Sequence, residues 1–363
     1  MADFNLTKMA VNLYCPGNVV QQDDAGLPSI MVWIPAFKNS DVLTGGDDSV
    51  HPAFIVNDRQ IPGFYYSKYE NCVYNGKAYS LPAENPAANV NFDEARNNCE
   101  NKGYGWHMST AAEWAAIALW CRNNGHVPLG NNHNGRDVTE SKVKAIPVTY
   151  NNDGVISKVA TGTGPLTWSH DNTTAGIWDL NGNMNEWQGG LRIVWGELQI
   201  LANNDAADPD NPQNKTSTCW KAIKASDGTL VEPESKTTDT APKTSGSTVK
   251  LDYVGNVLTY ATGVSTASAE DMTCTFEQIT CAASVSDAAK VLLRALALLP
   301  DEGETEYGAD LVYFANGVSE CGVFRGGSNS YGVSAGLFSL RATYTRDTSG
   351  VGVGFRSAYI PNI

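Results

Sequence analysis

The sequence predicts a fold of mixed helix and strand, with amphipathic helices packed on a sheet and long loops between them. Three observations carry this. From Gly336 to Arg346, residues Phe338, Leu340, Ala342 and Tyr344 alternate with Leu337, Ser339, Arg341, Thr343 and Thr345. That two-residue period belongs to a strand with one buried and one open face. Between residues 91 and 123 lie two helical patterns with identifiable starts. From Asn203 to Gly246 the chain is dense in Asn, Asp, Pro, Lys, Ser and Thr, a composition of surface loops.

In order, residues 1–28 read as an N-terminal extension and Ser29–Phe37 as a strand ended by Pro35. Phe54–Val56 and Gly63–Glu70 read as paired strands, the second rich in aromatics that suit a pleated surface. Asn91 caps a helix with Phe92, Ala95 and Cys99 on one face, ending near Gly103. Thr110-Ala-Ala-Glu113 is a capping box, and the helix it opens carries Trp114, Ile117, Ala118 and Cys121 on its inner stripe. The Asn-rich stretch 123–134 is loop; its His126 and His133 read as exposed polar residues, because no third ligand accompanies them. Gly176–Trp187 packs Trp178 and Trp187 among Asn181, Gly182, Asn183 and Glu186, too dense a mixture for a simple strand. From about 197 to 305 the composition shifts and the segment reads as an insertion, with short strands at Leu251–Val254 and Val257–Tyr260. Ser286 then caps a helix over Asp287–Leu299, stopped by Pro300 and Gly303. No internal repeat interrupts this order.

At 363 residues and 42% hydrophobic content the chain can bury a sizeable core. Its net charge of -14 repels a phosphate backbone and argues against a nucleic-acid partner. The first ten residues lack a basic start followed by an apolar stretch, so no secretory signal is expected and the chain is read as soluble and made in a cytoplasm. The most apolar run, Val291–Leu299, is broken by Arg294 and too short to span a bilayer, so no membrane insertion is expected. Eight cysteines without zinc-knuckle spacing read as buried thiols. Gly350-Val-Gly-Val-Gly-Phe is no phosphate loop, since neither Lys-Ser/Thr nor a helix start follows it.

Five separated stretches then agree: Asn89-Val-Asn-Phe-Asp-Glu-Ala, Ser109-Thr-Ala-Ala-Glu-Trp114, Gly176–Trp187, Arg325-Gly-Gly-Ser328 and Gly354-Phe-Arg356. Their order and spacing resemble the formylglycine-generating-enzyme/sulfatase-modifying family over about residues 30–192 and 310–360. The resemblance implies an α+β C-type lectin fold, loop-rich, occupying 29–363 with the 197–305 segment inserted. In that family a cysteine pair just after the Gly-Gly-Ser motif binds copper and activates oxygen, as soft sulfur ligands allow. Here Asn329–Gly336 holds no cysteine, and Cys321 precedes the motif. The related iron-dependent sulfoxide synthases need a histidine triad, which the scattered His51, His107, His126, His133 and His170 do not supply. No catalysis is expected, and no cofactor beyond a structural calcium. By the resemblance that ion would take mostly backbone oxygens from Asn181, Gly182, Met184 and Glu186. The alternative is that Glu186 accepts backbone hydrogen bonds or pairs with an arginine.

A narrower resemblance covers 322–363. Arg-Gly-Gly-Ser, then Ala-Gly, Phe-x-Leu, Arg346 and Gly-Phe-Arg-Ser-Ala-Tyr359 look like the C-terminal variable region of proteins diversified by retroelements, especially those of gut phages. The likeness continues upstream in Glu186–Arg192, Gly196–Ile200 and Trp220–Lys224. It implies a surface of rewritten residues: Asn329, Ser330, Tyr331, Val333, Ser334, Ser339, Arg341, Thr343, Tyr344, Asp347, Thr348, Gly350 and Val351. Phe338 and Leu340 are expected inward, with Ser339, Arg341 and Thr343 outward. Tyr331, Arg341 and Tyr344 are the expected affinity anchors, being the residue types that dominate hot spots. Arg325, Arg346 and Arg356 are expected to serve structure, pairing with carboxylates or carbonyls. The implied protein is a receptor-binding one on a phage tail or a bacterial surface, meeting a host-cell protein or glycan, in several copies such as a trimer. A cysteine-less relative of the oxygenase and a surface lectin with a fixed sugar ligand are the alternatives.

Overall fold

The computed structural model describes the backbone of residues 2–363 and the side chains from Asn5 onward. In chain order α1 (Ala2–Tyr14), β1 (Asn18–Gln22), β2 (Pro28–Pro35) and β3 (Gly63–Ser67) come first. Next are α2 (Phe92–Glu100), β4 (Trp106–Met108) and α3 (Ala111–Asn123). β5 (Asn185–Val194), β6 (Glu197–Ile200), β7 (Lys250–Val254), β8 (Val257–Ala261) and β9 (Met272–Thr275) lead to α4 (Asp287–Ala295). The remaining strands are β10 (Leu311–Phe314), β11 (Cys321–Gly326), β12 (Gly336–Ala342), β13 (Val353–Phe355) and β14 (Ser357–Tyr359). The result is α+β, mostly sheet and loop. No helix of the described residues is long and apolar enough to cross a membrane.

Two sheets organise the chain. The smaller runs β1-β2-β3-β14-β4, and the larger follows β9-β10-β12-β11-β5-β6-β7-β8. β5 is the pivot of the larger sheet: its first residues pair with β13 in parallel, and Leu191–Val194 pair with β6. Because β13 lies on the large sheet and β14 on the small one, the chain changes sheets at Arg356. This gives the Gly-Phe-Arg-Ser-Ala-Tyr motif its physical content. The main core forms where residues of both sheets meet α3 and α4, and a second core forms under α2.

The capping signals hold. Asn91 accepts from the Glu94 amide at 3.0 Å and Thr110 from the Glu113 amide at 3.1 Å, each with the reciprocal bond of a capping box. α3 is nonetheless buried nearly all round, because its run of alanines lets neighbouring elements approach every side. The expected hairpin at 251–260 forms, closed by Gly255 and Asn256. It belongs to the large sheet, so the segment read as an insertion contributes strands to that sheet.

Other elements differ from the reading. Residues 2–14 form a helix and 18–22 an edge strand, both inside the stretch read as an extension. Phe54–Val56 does not pair with Gly63–Glu70: Ile55–Val56 folds back on Arg59–Gln60, while β3 pairs with β2 and β14. The turn at Asn57–Asp58, both with positive φ, joins that short pair. α4 stops at Ala295, four residues before the expected end, and Ala297 turns away with φ +47°. His126 and His133 are half-buried, and His126 Nε2 lies 2.9 Å from the Ser169 carbonyl. All eight cysteines are free, four buried and four half-buried.

Candidate functional site

Strand register places one row of residues across six strands of the large sheet. Thr273 faces Tyr313, Tyr313 faces Arg341, Arg341 faces Phe324, Phe324 faces Trp187 and Trp187 faces Phe355. Residues directly opposite share a face, so all six point the same way. At one end α2 covers the row: Phe92 meets Trp187 edge-on at 5.6 Å, and Trp187 lies 4.0 Å from Phe324. Beyond Phe324 the row continues as a half-buried arginine among tyrosines.

Arg341 is the centre of that patch. Its guanidinium sits over Tyr313 at 4.7 Å and Tyr344 at 4.6 Å. Nη1 donates to the Tyr331 hydroxyl at 3.0 Å, Nε donates to the Thr343 hydroxyl at 3.1 Å, and Nη2 binds the Asp271 carboxylate. Tyr313 and Tyr331 are 5.8 Å apart. A cation held between aromatic faces and balanced by one carboxylate loses little freedom on meeting a ligand. Ser334 joins the cluster through the Tyr313 hydroxyl.

Tyr331 reaches this position through the Arg-Gly-Gly-Ser motif. Gly326 and Gly327 have φ +85° and +77°, successive left-handed residues that turn the chain out of β11. A β-carbon on Gly327 would stand 2.7 Å from that of Ala335, so the loop closes tightly on itself. The loop is tethered from outside by the Gly332 amide on the Asn132 carbonyl and the Asn134 amide on the Asn329 carbonyl, both 2.9 Å.

Of the sequence-predicted surface, Tyr331, Ser334, Arg341, Thr343 and Tyr344 come together here. Tyr344 is 39% exposed and Val333, on the neighbouring turn, 58%. Ser330 is exposed, while Asn329 is half-buried with its amide on Asn134 and the Ile156 carbonyl. Asp347, Thr348, Gly350 and Val351 form a second group on the following loop, where Val351 is 74% exposed and Asp347 lies 3.7 Å from Lys215. The two groups adjoin where Gly352 approaches Ser328. A groove of about 770 Å³ passing Tyr74, Asn85 and Lys158 borders the second group, since the Asn89 amide donates to the Gly350 carbonyl.

Ser339 is a correction. It shares the Arg341 face but is 2% exposed, because β12 is flanked on both edges and the loop before it returns over that face to set Tyr331 on Arg341. Phe338 and Leu340 point inward as expected, and Arg341 and Thr343 are half-buried. Asp271 and Tyr313 were not anticipated. The alternation around Tyr313 is a weak signal, and Asp271 lies in the segment read as an insertion.

The other arginines hold the frame. Arg325 is buried and donates to the Leu296, Ala297 and Phe338 carbonyls, covering the end of α4. Arg346 pairs with Asp93 and Glu320. Arg356 donates to both oxygens of Glu186 at 2.9 and 2.8 Å, so Glu186 pairs with an arginine as the alternative had it. Around that pair, Asn181 donates to the Pro128 carbonyl, the Gly182 amide bonds the Gly326 carbonyl, and the Met184 amide donates to Glu70. Asp179 completes the cluster, its Oδ2 accepting from Gly162 and its Oδ1 buried without a partner; burial lifts its pKa to about 6. Among the described residues no group of three or more His, Cys, Asp or Glu side chains is placed to hold a metal ion. Cys321 is buried, and burial pushes its thiol up to about 12.

No protein-family model matches the chain, and no curated protein matches it. Among solved structures, PvdO from Pseudomonas aeruginosa overlaps it at 13% identity and a TM-score of 0.32, covering 94% of this chain and 97% of that one. A Major Tropism Determinant, the P3c variant, overlaps at 8% identity and a TM-score of 0.29, covering 94% of this chain and 71% of that one. At such scores these likenesses stand as observations alone.

Proposed function

We propose that this chain is a non-catalytic receptor-binding protein whose C-terminal face, built around Arg341, recognises a host-cell surface protein or glycan. The observation that supports it most is the convergence of Tyr313, Tyr331 and Tyr344 on one charge-balanced arginine at the end of the sheet row away from α2. Preformed aromatic anchors with polar tips suit recognition, because few torsions are lost on binding. The absence of cysteine from 329–336, together with a buried, protonated Cys321, supports the non-catalytic reading. On this reading the protein is displayed on a phage tail in several copies, where multivalency offsets weak single contacts. The positions named from Asn329 to Val351, with the buried Ser339 excluded, are on this reading those that a retroelement rewrites.

Binding of the purified protein to host-cell envelope tests the proposal. Single alanine substitutions at Tyr331, Arg341 and Tyr344 are expected to weaken it by a factor of about 30 or more each, the scale of a hot-spot residue. Unchanged binding in all three would overturn it. A neighbouring reverse-transcriptase gene with a near-copy of the 3′ coding stretch, differing only at adenines, tests the diversification separately.

A further inference from the structure

A pocket of about 300 Å³ opens at the end of β1 and shares no residue with the C-terminal face. Trp33, Phe37, Ile117 and Trp120 form its apolar walls, and His170 and Asp171 are its ionisable lining groups. His170 is buried at 6% exposure and lies 5.3 Å from Trp120. Its Nδ1 accepts from the Ile177 amide at 2.8 Å, which puts the ring hydrogen on Nε2. Burial pushes the imidazole pKa down to about 4, so the ring is neutral at physiological pH. No acceptor among the described residues meets Nε2, and His170 lines the pocket. Asp171 is fixed at the rim, its Oδ1 taken by the Thr173 amide and hydroxyl at 2.9 Å and by the Ser169 hydroxyl at 3.3 Å. Oδ2 accepts only from Thr173.

These groups restrict the ligand. Aromatic walls select a flat apolar face. The carboxylate, on a chain of net charge -14, repels anions. The fixed N–H donor has nothing to give a cation. A donor and an acceptor in one small pocket are satisfied together by hydroxyl groups, which serve as both. The volume lies at the lower end for ligand sites, which suits a single ring.

We propose that this pocket binds one neutral pyranose residue, with a C–H face against Trp120 or Trp33. One sugar hydroxyl accepts from His170 Nε2 and another donates to Asp171. The inference stands apart from the C-terminal reading and survives its failure.

The probes are the methyl glycosides of glucose, galactose, mannose and N-acetylglucosamine, titrated into the intact protein by calorimetry and by saturation-transfer NMR. At least one is expected to bind saturably. His170→Phe, which keeps a ring and removes the donor, and Trp120→Leu, which removes a wall, should each weaken it about tenfold or more. Arg341→Ala should leave it unchanged. His170→Phe also strips the Ile177 amide of its acceptor, so each variant is first checked by thermal unfolding; Trp120→Leu and Asp171→Asn carry the test if it fails to fold. No saturable glycoside binding would overturn the proposal. So would equal binding in every folded pocket variant, or binding lost with Arg341→Ala alone.

Discussion

Two ends of one sheet face share a register and meet different fates. Trp187, Phe324 and Phe355 lie under α2 in a closed core, whereas Tyr313 and Arg341, next in the same row, are half-buried beside the loop that carries Tyr331. The strands do not differ; what differs is whether a helix lies over them. The closed end fixes the pleat and spacing of the face, and the open end inherits that geometry for side chains that answer to a ligand instead of a core. Such an arrangement lets the open end change composition at small cost in stability.

The comparison can be broken first at its closed end. Phe324→Ala should cost about 3–5 kcal/mol, the scale for deleting a buried aromatic ring, read as a lower urea midpoint at constant slope. A loss under about 1 kcal/mol would mean that α2 does not close the face.

The buried cluster behind the row gives a smaller, pH-dependent effect. Burial raises Asp179 to about 6, above the ordinary carboxylate range, so the folded chain holds a proton that the unfolded chain releases. Its contribution is therefore fully present below about pH 4 and lost as pH rises through about 6, by an amount of the order of 2–3 kcal/mol. Asp179→Asn should flatten that part of the stability profile.

At the open end stability and binding should part company. Tyr344→Ala, at a half-open position, is expected to cost under about 1 kcal/mol of stability while abolishing most envelope binding. Asp347→Ala should do least: its contact with Lys215 is solvent-exposed, and the unfolding midpoint should not move measurably. An equal stability loss at Phe324 and Tyr344 would erase the distinction between the two ends.

How far the fold could be read from the chain depended on how local each cause was. Capping at Asn91, Thr110 and Ser286 involves partners three residues away, and those helix starts appear where expected. Inward Phe338 and Leu340 follow from alternation alone. Ser339 obeys the same alternation, yet its burial depends on a loop that comes back over it. Glu186 and Arg356 are 170 residues apart, so the pairing of that carboxylate could be named only as one of two options. The patch itself was half legible. Tyr331, Arg341 and Tyr344 were in view, whereas Asp271 arrives on the turn before β9 and Tyr313 on β10, brought alongside by a sheet order that no single segment encodes.

The switch of sheets at Arg356 sets a condition on biosynthesis. β14 is an interior strand of the small sheet, between β3 and β4, while β13 lies against β5, so residues 353–359 fasten together segments translated far earlier. A ribosome-bound chain short of residue 353 leaves β3 and β4 with bare edges and Glu186 enclosed without its counterion, an arrangement prone to mispairing. Closure of both sheets thus waits on a short distal clasp instead of following growth of a domain from its beginning.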